Sequence, residues 1–454
     1  MNLAIENIGT VKKADIQFNG LAVIAGENDS GKSTVGKLLF SIVKAINRYE
    51  QDLSENKSQT VKKQLEKLYF KIRNSVNFLK EEKVKNEFHP GYFAKQLEPY
   101  LSKQPTLFAW DHSDEISQLF ARKLACFEHL DEETEAFTRK ALDEIKHSIL
   151  QEERKEDLIK RALSKVFFSE FYFELSTKGS PFPSTIKFSE GENKIFDIEI
   201  KENSIASFVL HDALSFNDVT FVETPVVLQM YDVISFAETL LEVENEETRI
   251  RAMQRPKISL HIKDLVSKLE NARYFAKTLF QDQLPIHDTL RNISDIVNGQ
   301  FAFEKEDKDF FFHKQFPDES QFKVRSVNTA SGIKSFGILQ LLLQANILDD
   351  RSLLIIDEPE NHLHPKWQVE YARLIVELVK NEINVMVSSH SPYMIQALKF
   401  FSEKAGIKEK VNYYLAELDE KEGLSEIKDV THDLNKIFLK LAEPLQDLVW
   451  KKSY

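Results

Sequence analysis

The chain has 454 residues, enough for two or three packed units at about 100 to 200 residues each, and 42% hydrophobic with 29% charged residues is the balance of a globular protein with a sizeable core. Its 34 Phe outnumber 3 Trp and 12 Tyr, so the aromatic content is mostly apolar packing, and 13 glycines are under half the usual share of about 7%, which disfavours an all-β or loop-rich architecture. Sixty Lys and Arg against 72 Asp and Glu leave a net charge of −12, a field that repels phosphate backbones unless basic residues cluster locally.

The single cysteine, Cys126, leaves no disulfide within the chain and no cysteine-cluster metal site, and reads as a small buried apolar residue in a reducing compartment. The segment MNLAIENIGTVKKADIQF lacks the basic-then-apolar pattern of a leader, and no apolar run approaches the roughly 18 residues of a membrane span. A cytoplasmic chain without a membrane partner is expected.

In chain order, residues 2–26 read as three short strands, LAIENIG, ADIQF and LAVIAG, joined by turns at Thr10 to Lys13 and at Asn19-Gly20. From Lys32 the period becomes helical, with Val35, Leu38, Leu39, Ile42 and Ala45 on one face. Between strand and helix stands Gly26-Glu27-Asn28-Asp29-Ser30-Gly31-Lys32-Ser33-Thr34, a full GxxxxGK[ST] pattern in the context it requires. Glycine at 26 and 31 lets successive N–H groups point into one concavity. Gly26, Asn28, Asp29, Ser30, Gly31, Lys32, Ser33 and Thr34 therefore read as a phosphate cradle, with Lys32 reaching the outer phosphates and Ser33 ligating Mg²⁺. Lys13 is either a second phosphate contact or a solvated lysine.

Residues 51–165 are rich in Lys and Glu and carry helical stripes at Val61, Leu65, Leu68, Ile72, Val76 and Leu79, then at Phe137, Ala141, Ile145 and Ile149. A helical insertion is expected, as a hairpin or short coiled coil. Residues 166–232 return to strands, with IKF and IFDIEI alternating around Glu190-Gly191-Glu192, and 233–299 are largely helical. In 300–454, FAFEK and DFFFHK form a hairpin, QFKVRSV another strand, and an alternation of helices and strands follows. With residues 1–50, these make an α/β P-loop fold of mixed sheet and antiparallel β lobe, interrupted by two helical insertions.

Three more segments carry chemistry. The apolar strand SLLII ends in Asp357-Glu358: either a helix cap or, paired with a phosphate loop, a metal-holding Asp357 and a Glu358 that deprotonates the attacking water. The strand NVMVSS delivers His390 at its C-terminal end, where ligands of parallel sheets gather; it is a γ-phosphate sensor or a plain loop histidine. Thr329-Ala-Ser331-Gly332-Ile-Lys334 opens a long helix with Ser331 as its cap, an anion site or an ordinary helix start.

The ordered set of phosphate loop, long insertion, serine-glycine helix, Asp-Glu strand, loop Glu360-Asn361-His362-Leu363-His364-Pro365 and His390 resembles the ABC-type ATPase head of the RecF, SMC and OLD branch. The strings EPENHLHP and SSHSP are most similar to OLD-type ATPases and to the anti-phage ATPases of the PARIS and Septu systems. The resemblance covers residues 1–45 and about 300–400. It implies an ATP and Mg²⁺ enzyme that works as a head-to-head dimer or higher homo-oligomer, with Ser331 and Gly332 completing a partner's site and Lys334 beside them as a nucleotide contact. Ile333 and Lys334 depart from the usual signature. The resemblance also implies a glutamine linking metal to insertion, for which Gln229 is the candidate. OLD proteins carry a nuclease domain after the ATPase, whereas the tail here reads as two strands and an amphipathic helix; an effector nuclease in trans is expected, with a phage protein or nucleic acid as trigger. The alternative is a RecF- or SMC-like DNA-repair ATPase gripping duplex DNA, for which the mixed Lys/Glu helices of 57–86 are the regional candidate. A transporter motor is disfavoured by the long separation of Lys32 from Asp357. An ATP-holding scaffold is disfavoured by the retained Glu358.

Overall fold

The computed structural model describes residues 1–75, 82–101, 109–127, 131–151, 154–172, 174–239, 257–275, 286–316 and 321–450. Val76 and Leu79 of the expected stripe, and residues 240–256 and 276–285 of the second helical stretch, lie outside them.

The strands are β1 (Asn2–Ile8), β2 (Val11–Gln17), β3 (Leu21–Gly26), β4 (Ser184–Glu190), β5 (Asn193–Lys201), β6 (Ser204–Leu210), β7 (Asp218–Val222), β8 (Glu238–Thr239), β9 (Lys257–Ile258), β10 (Gly299–Glu304), β11 (Asp309–Gln315), β12 (Gln321–Arg325), β13 (Ser352–Asp357), β14 (Asn384–Ser389), β15 (Val411–Asp419) and β16 (Leu424–Asp429). Eleven form one sheet in the order β6-β5-β4-β1-β2-β16-β15-β3-β14-β13-β7. From β15 to β7 every neighbour is parallel, and β3 and β13 are buried at every position. That is the demand a parallel sheet covered on both faces makes, and LAVIAG and SLLIID meet it with unbroken apolar runs. From β2 through β1, β4 and β5 to β6 the pairing is antiparallel, while β2 pairs β16 in parallel, and β4 and β5 alternate buried with more accessible positions as IKF and IFDIEI do.

Helix Lys32–Ser75 follows β3 directly, and its expected face, Val35 to Ala45, is buried. Helix Pro365–Lys380 packs on β14, the C-terminal helix Asn435–Trp450 on β3, and helix Leu260–Phe275 on β7 and on helix Ser331–Gln344. β10, β11 and β12 form a separate antiparallel sheet. Its Phe301 stands where a Cβ on Gly337 of helix Ser331–Gln344 would be, so glycine at 337 is what admits the ring.

The chain separates into two compact units, Met1–Asn47 with Leu163–Tyr454, and Arg48–Ala162. The second has a core of its own in which Val61, Leu65, Leu68 and Ile72 meet Phe88, Phe93 and Phe120, a helical bundle where a hairpin or short coiled coil was expected. The second expected stripe holds at Ile145 and Ile149 but not at its start: Phe137 is exposed beneath the Lys71 ammonium, and the buried face of helix Glu132–Leu150 runs through Thr134, Thr138, Leu142, Ile145 and Ile149. Burial of Thr138 is permitted because its hydroxyl donates to Thr134 O at 2.7 Å, leaving a methyl for the core. Cys126 is half-buried rather than buried, its thiol donating to Arg122 O one turn back, and Lys13 is exposed, in line with its solvated reading, but lies within β2 opposite Glu6. The expected turn there is shorter because Val11, buried, already starts the β2 alternation.

Candidate functional site

Parallel register brings the chemistry to one sheet edge. Ala25 of β3 lies opposite Ser389 of β14, and Ser388 opposite Asp357 of β13, so the phosphate loop, His390 and the Asp357-Glu358 pair all leave the sheet at its C-terminal edge, where N–H groups and helix starts face a ligand. The loop is held tightly. A Cβ on Gly26 would meet Ala416 O of β15 at 2.7 Å, and one on Gly31, whose φ is +80°, would meet Val11 at 2.5 Å. Asp29 is also left-handed, at φ +61°, and Asn28 and Asp29 are exposed at the loop tip. Ser30 is buried and donates to Glu27 O at 2.7 Å; Ser33 and Thr34 are half-buried at the helix start.

Lys32 folds back over this loop, its ammonium donating to Gly26 O at 3.1 Å and Glu27 O at 2.6 Å, with Glu358 Oε1 3.8 Å away. Burial lowers the lysine's pKa, and the Glu358 and Asp357 carboxylates oppose that. Asp357 is itself buried, which raises its pKa; hydroxyl donors on Ser388 and Ser33 work the other way. A carboxylate beside a serine hydroxyl is an oxygen donor set suited to Mg²⁺, an ion that takes few protein ligands and completes its shell from phosphates and water. Among the described residues no group of three or more His, Cys, Asp and Glu is placed to hold a metal ion.

Glu358 sits at φ +46°, an uncommon conformation for a side-chain-bearing residue, fixed by its N–H donating to Ser388 O and Ser388 Oγ, both at 3.1 Å. Its carboxylate accepts from Asn361 Nδ2 at 3.1 Å and lies 3.4 Å from His390 Nδ1. Lys32, Ser33, Asp357, Glu358 and His390 are thus brought together.

The remaining expected residues lie on helix Ser331–Gln344 and the turn before it. Ser331 is the first helical residue; Ala330 takes the cap position, because its backbone is extended while Ser331 already has helical geometry. Gly332 faces Trp367, which a Cβ would meet at 3.0 Å. Lys334 is turned into its own chain, where burial lowers its pKa and its ammonium donates to Gln229 Oε1. Gln229 ends the short turn Pro225–Leu228.

Sequence reasoning missed two carboxylates. Glu360, 4% exposed, accepts from Ser389 Oγ at 2.8 Å, His390 N–H at 2.6 Å and Ser391 N–H at 3.1 Å, tying the Asp-Glu loop to the histidine loop. Nothing in its spacing signals this. Glu223, directly after β7, lines a cleft with Thr224, Ser335, Asp357, Glu358 and Asn361. Here a signal existed, since DVTFVE is an apolar strand ending in an acid, as SLLIIDE is.

A family model described as an AAA ATPase domain matches residues 1–395. The Septu protein PtuA of Bacillus thuringiensis is 34% identical over 73 residues, a stretch that spans 16% of this chain and 18% of that protein. Among solved structures, the SMC head domain from Thermotoga maritima aligns at 12% identity and a TM-score of 0.38, covering 94% of this chain and 98% of that one. The Smc head domain with an extended coiled coil from Pyrococcus furiosus, bound to the C-terminal domain of ScpA, aligns at 11% identity and a TM-score of 0.39, covering 98% of both chains.

Proposed function

The chain belongs to the AAA ATPase domain family, and on that premise we propose that it binds ATP with Mg²⁺, hydrolyses it as a head-to-head dimer or higher homo-oligomer, and regulates a separate effector, a nuclease, in bacterial anti-phage defence. The observation that carries the hydrolytic part is the juxtaposition of Lys32, Glu358 and His390 within 4 Å steps at one sheet edge, 3.8 Å for the first pair and 3.4 Å for the second. The N–H groups of residues 28–34 cradle the phosphates, and Lys32 neutralises the outer ones. Ser33 and Asp357 would hold the cation, which would supply charge neutralisation to the outer phosphates. Glu358 takes the proton of the attacking water as the bond from the terminal phosphorus to its bridging oxygen breaks, and Asn361 keeps that carboxylate oriented. His390 donates to the terminal phosphate from the next strand end. Ser331 and Gly332 of a second copy complete the site from the start of their helix, while Lys334 stays bonded to Gln229 within its own chain. The EPENHLHP and SSHSP strings and the local similarity to the Septu protein support the defence reading.

Two measurements test this. Glu358→Gln should lower ATP turnover about 10²-fold or more while nucleotide binding persists; an unchanged rate overturns Glu358 as the base. The tagged Glu358→Gln chain, purified from its own cells with ATP and Mg²⁺, should carry a nuclease-like companion in fixed ratio. Recovery of duplex DNA with no protein companion overturns the effector reading in favour of a DNA-repair ATPase.

A further inference from the structure

One group of buried charged residues near the site has no part in the chemistry above. His261 is the second residue of helix Leu260–Phe275 and is 2% exposed. The start of that helix is capped from helix Lys155–Phe171: Leu260 N–H donates to Ser169 Oγ at 2.9 Å and His261 N–H to Glu170 Oε1 at 3.1 Å. The imidazole then lies between two carboxylates, with Nδ1 2.5 Å from Glu170 Oε2 and Nε2 3.0 Å from Glu223 Oε2. A carboxylate oxygen only accepts, so both ring nitrogens donate and the ring is the cation. Phe221 and Phe40 stand edge-on to it at centroid distances of 5.0 and 6.1 Å. The other oxygen of Glu223 is 3.0 Å from Lys37, one turn into the phosphate-loop helix. Charges therefore alternate along Glu170, His261, Glu223 and Lys37, and the third member faces the cleft of Asp357 and Glu358.

We propose that His261 is a positioning residue for ATP hydrolysis, clamping the Glu223 carboxylate at the mouth of the cleft and tying it to the ends of helices Lys155–Phe171 and Leu260–Phe275. This rests on the ATPase reading. Glu223 adds negative charge beside Asp357 without touching the phosphate loop, so the clamp governs the hydrolytic step more than nucleotide affinity. Glu170 stands in the last turn of helix Lys155–Phe171, so the position of that turn sets the Glu170 side of the clamp.

The test uses the purified full chain, with turnover, KM, binding of a fluorescent ATP analogue and thermal midpoint measured for each variant. His261→Gln can donate to only one of the two carboxylates, leaving its amide oxygen against the other, and should lower kcat about 10- to 100-fold while KM and analogue affinity stay within about twofold. The double variant that adds Glu170→Gln places a donor at position 170 to meet the amide carbonyl now at position 261, and should recover most of kcat. Glu223→Gln, changing a half-buried side chain, should reproduce the kcat loss and serves if His261→Gln does not fold. Wild-type kcat in folded His261→Gln or Glu223→Gln, an equal loss of analogue affinity, or a double variant no better than the single, would overturn the clamp. Absence of hydrolysis by the wild type, with analogue binding intact, would instead overturn the ATPase reading on which it stands.

Discussion

The Lys32 ammonium lies 3.8 Å from Glu358 Oε1, so the lysine proposed to meet phosphate and the carboxylate proposed to meet water are counter-charges of each other. Lys32 is only 3% exposed, and a buried cation losing its partner carries an uncompensated charge. Glu358→Gln should therefore tighten ATP binding, since the phosphates then relieve a charge the protein no longer balances. Titration of a fluorescent ATP analogue checks this; weaker binding by the variant would mean the pair is not a competitor of the nucleotide.

Asp357 is buried and its pKa is raised by that burial. A raised carboxylate pKa means the ionised form is disfavoured by folding, so at neutral pH the charge costs stability. Asp357→Asn keeps an acceptor for Ser388 and removes the charge; it should raise the thermal midpoint of the nucleotide-free chain and abolish the effect of Mg²⁺ on ATP affinity. A lowered midpoint contradicts this.

Glu360 is the buried acceptor for Ser389, His390 and Ser391. Glu360→Ala leaves these donors unsatisfied, at about 1 to 3 kcal/mol of stability, and releases the His390 loop. Turnover should fall with stability, measured by denaturant unfolding and steady-state kinetics. A variant that loses stability but keeps kcat separates the histidine's position from the reaction.

Glu223 has its pKa lowered from 4.5 to about 2, through its hydrogen bond to His261 with the Lys37 charge assisting. Because the folded value lies below the ordinary one, the stabilisation is present above about 4.5 and is lost as pH falls towards about 2. The thermal midpoint of the wild type should therefore fall more steeply with acidification through this window than that of Glu223→Gln. Parallel curves would show that the pairing adds nothing to the folded state.

At Gly337 a side chain would run into the Phe301 ring. Gly337→Ala should cost about 1 to 3 kcal/mol by overpacking, read as a lower denaturation midpoint. Phe301→Leu in the same chain should restore part of it by vacating the space.

Patterns set by near neighbours are legible in the order of residues alone. Alternating runs mark β4 and β5, unbroken apolar runs mark β3 and β13, and period-3.6 runs mark the helices after Lys32 and Asn328, because burial on one face repeats at the pitch of the element and burial on both faces leaves no polar position. The phosphate loop is legible for the same reason: its glycines answer to local backbone geometry, which contacts at Gly26 and Gly31 then enforce. Phe137 shows where this stops, since Thr138 next to it fits the bundle's interior once its hydroxyl is satisfied within its own helix, and hydropathy alone ranks the two the other way. What tertiary structure decided is the meeting of residues far apart in the chain. Parallel register set Asp357 against Ser388 and so placed His390 beside Glu358, while the packing of helix Leu260–Phe275 brought His261 between Glu170 and Glu223. A carboxylate's partners are fixed by distance in space and by the donors that burial leaves within reach, and neither is written in its sequence neighbours.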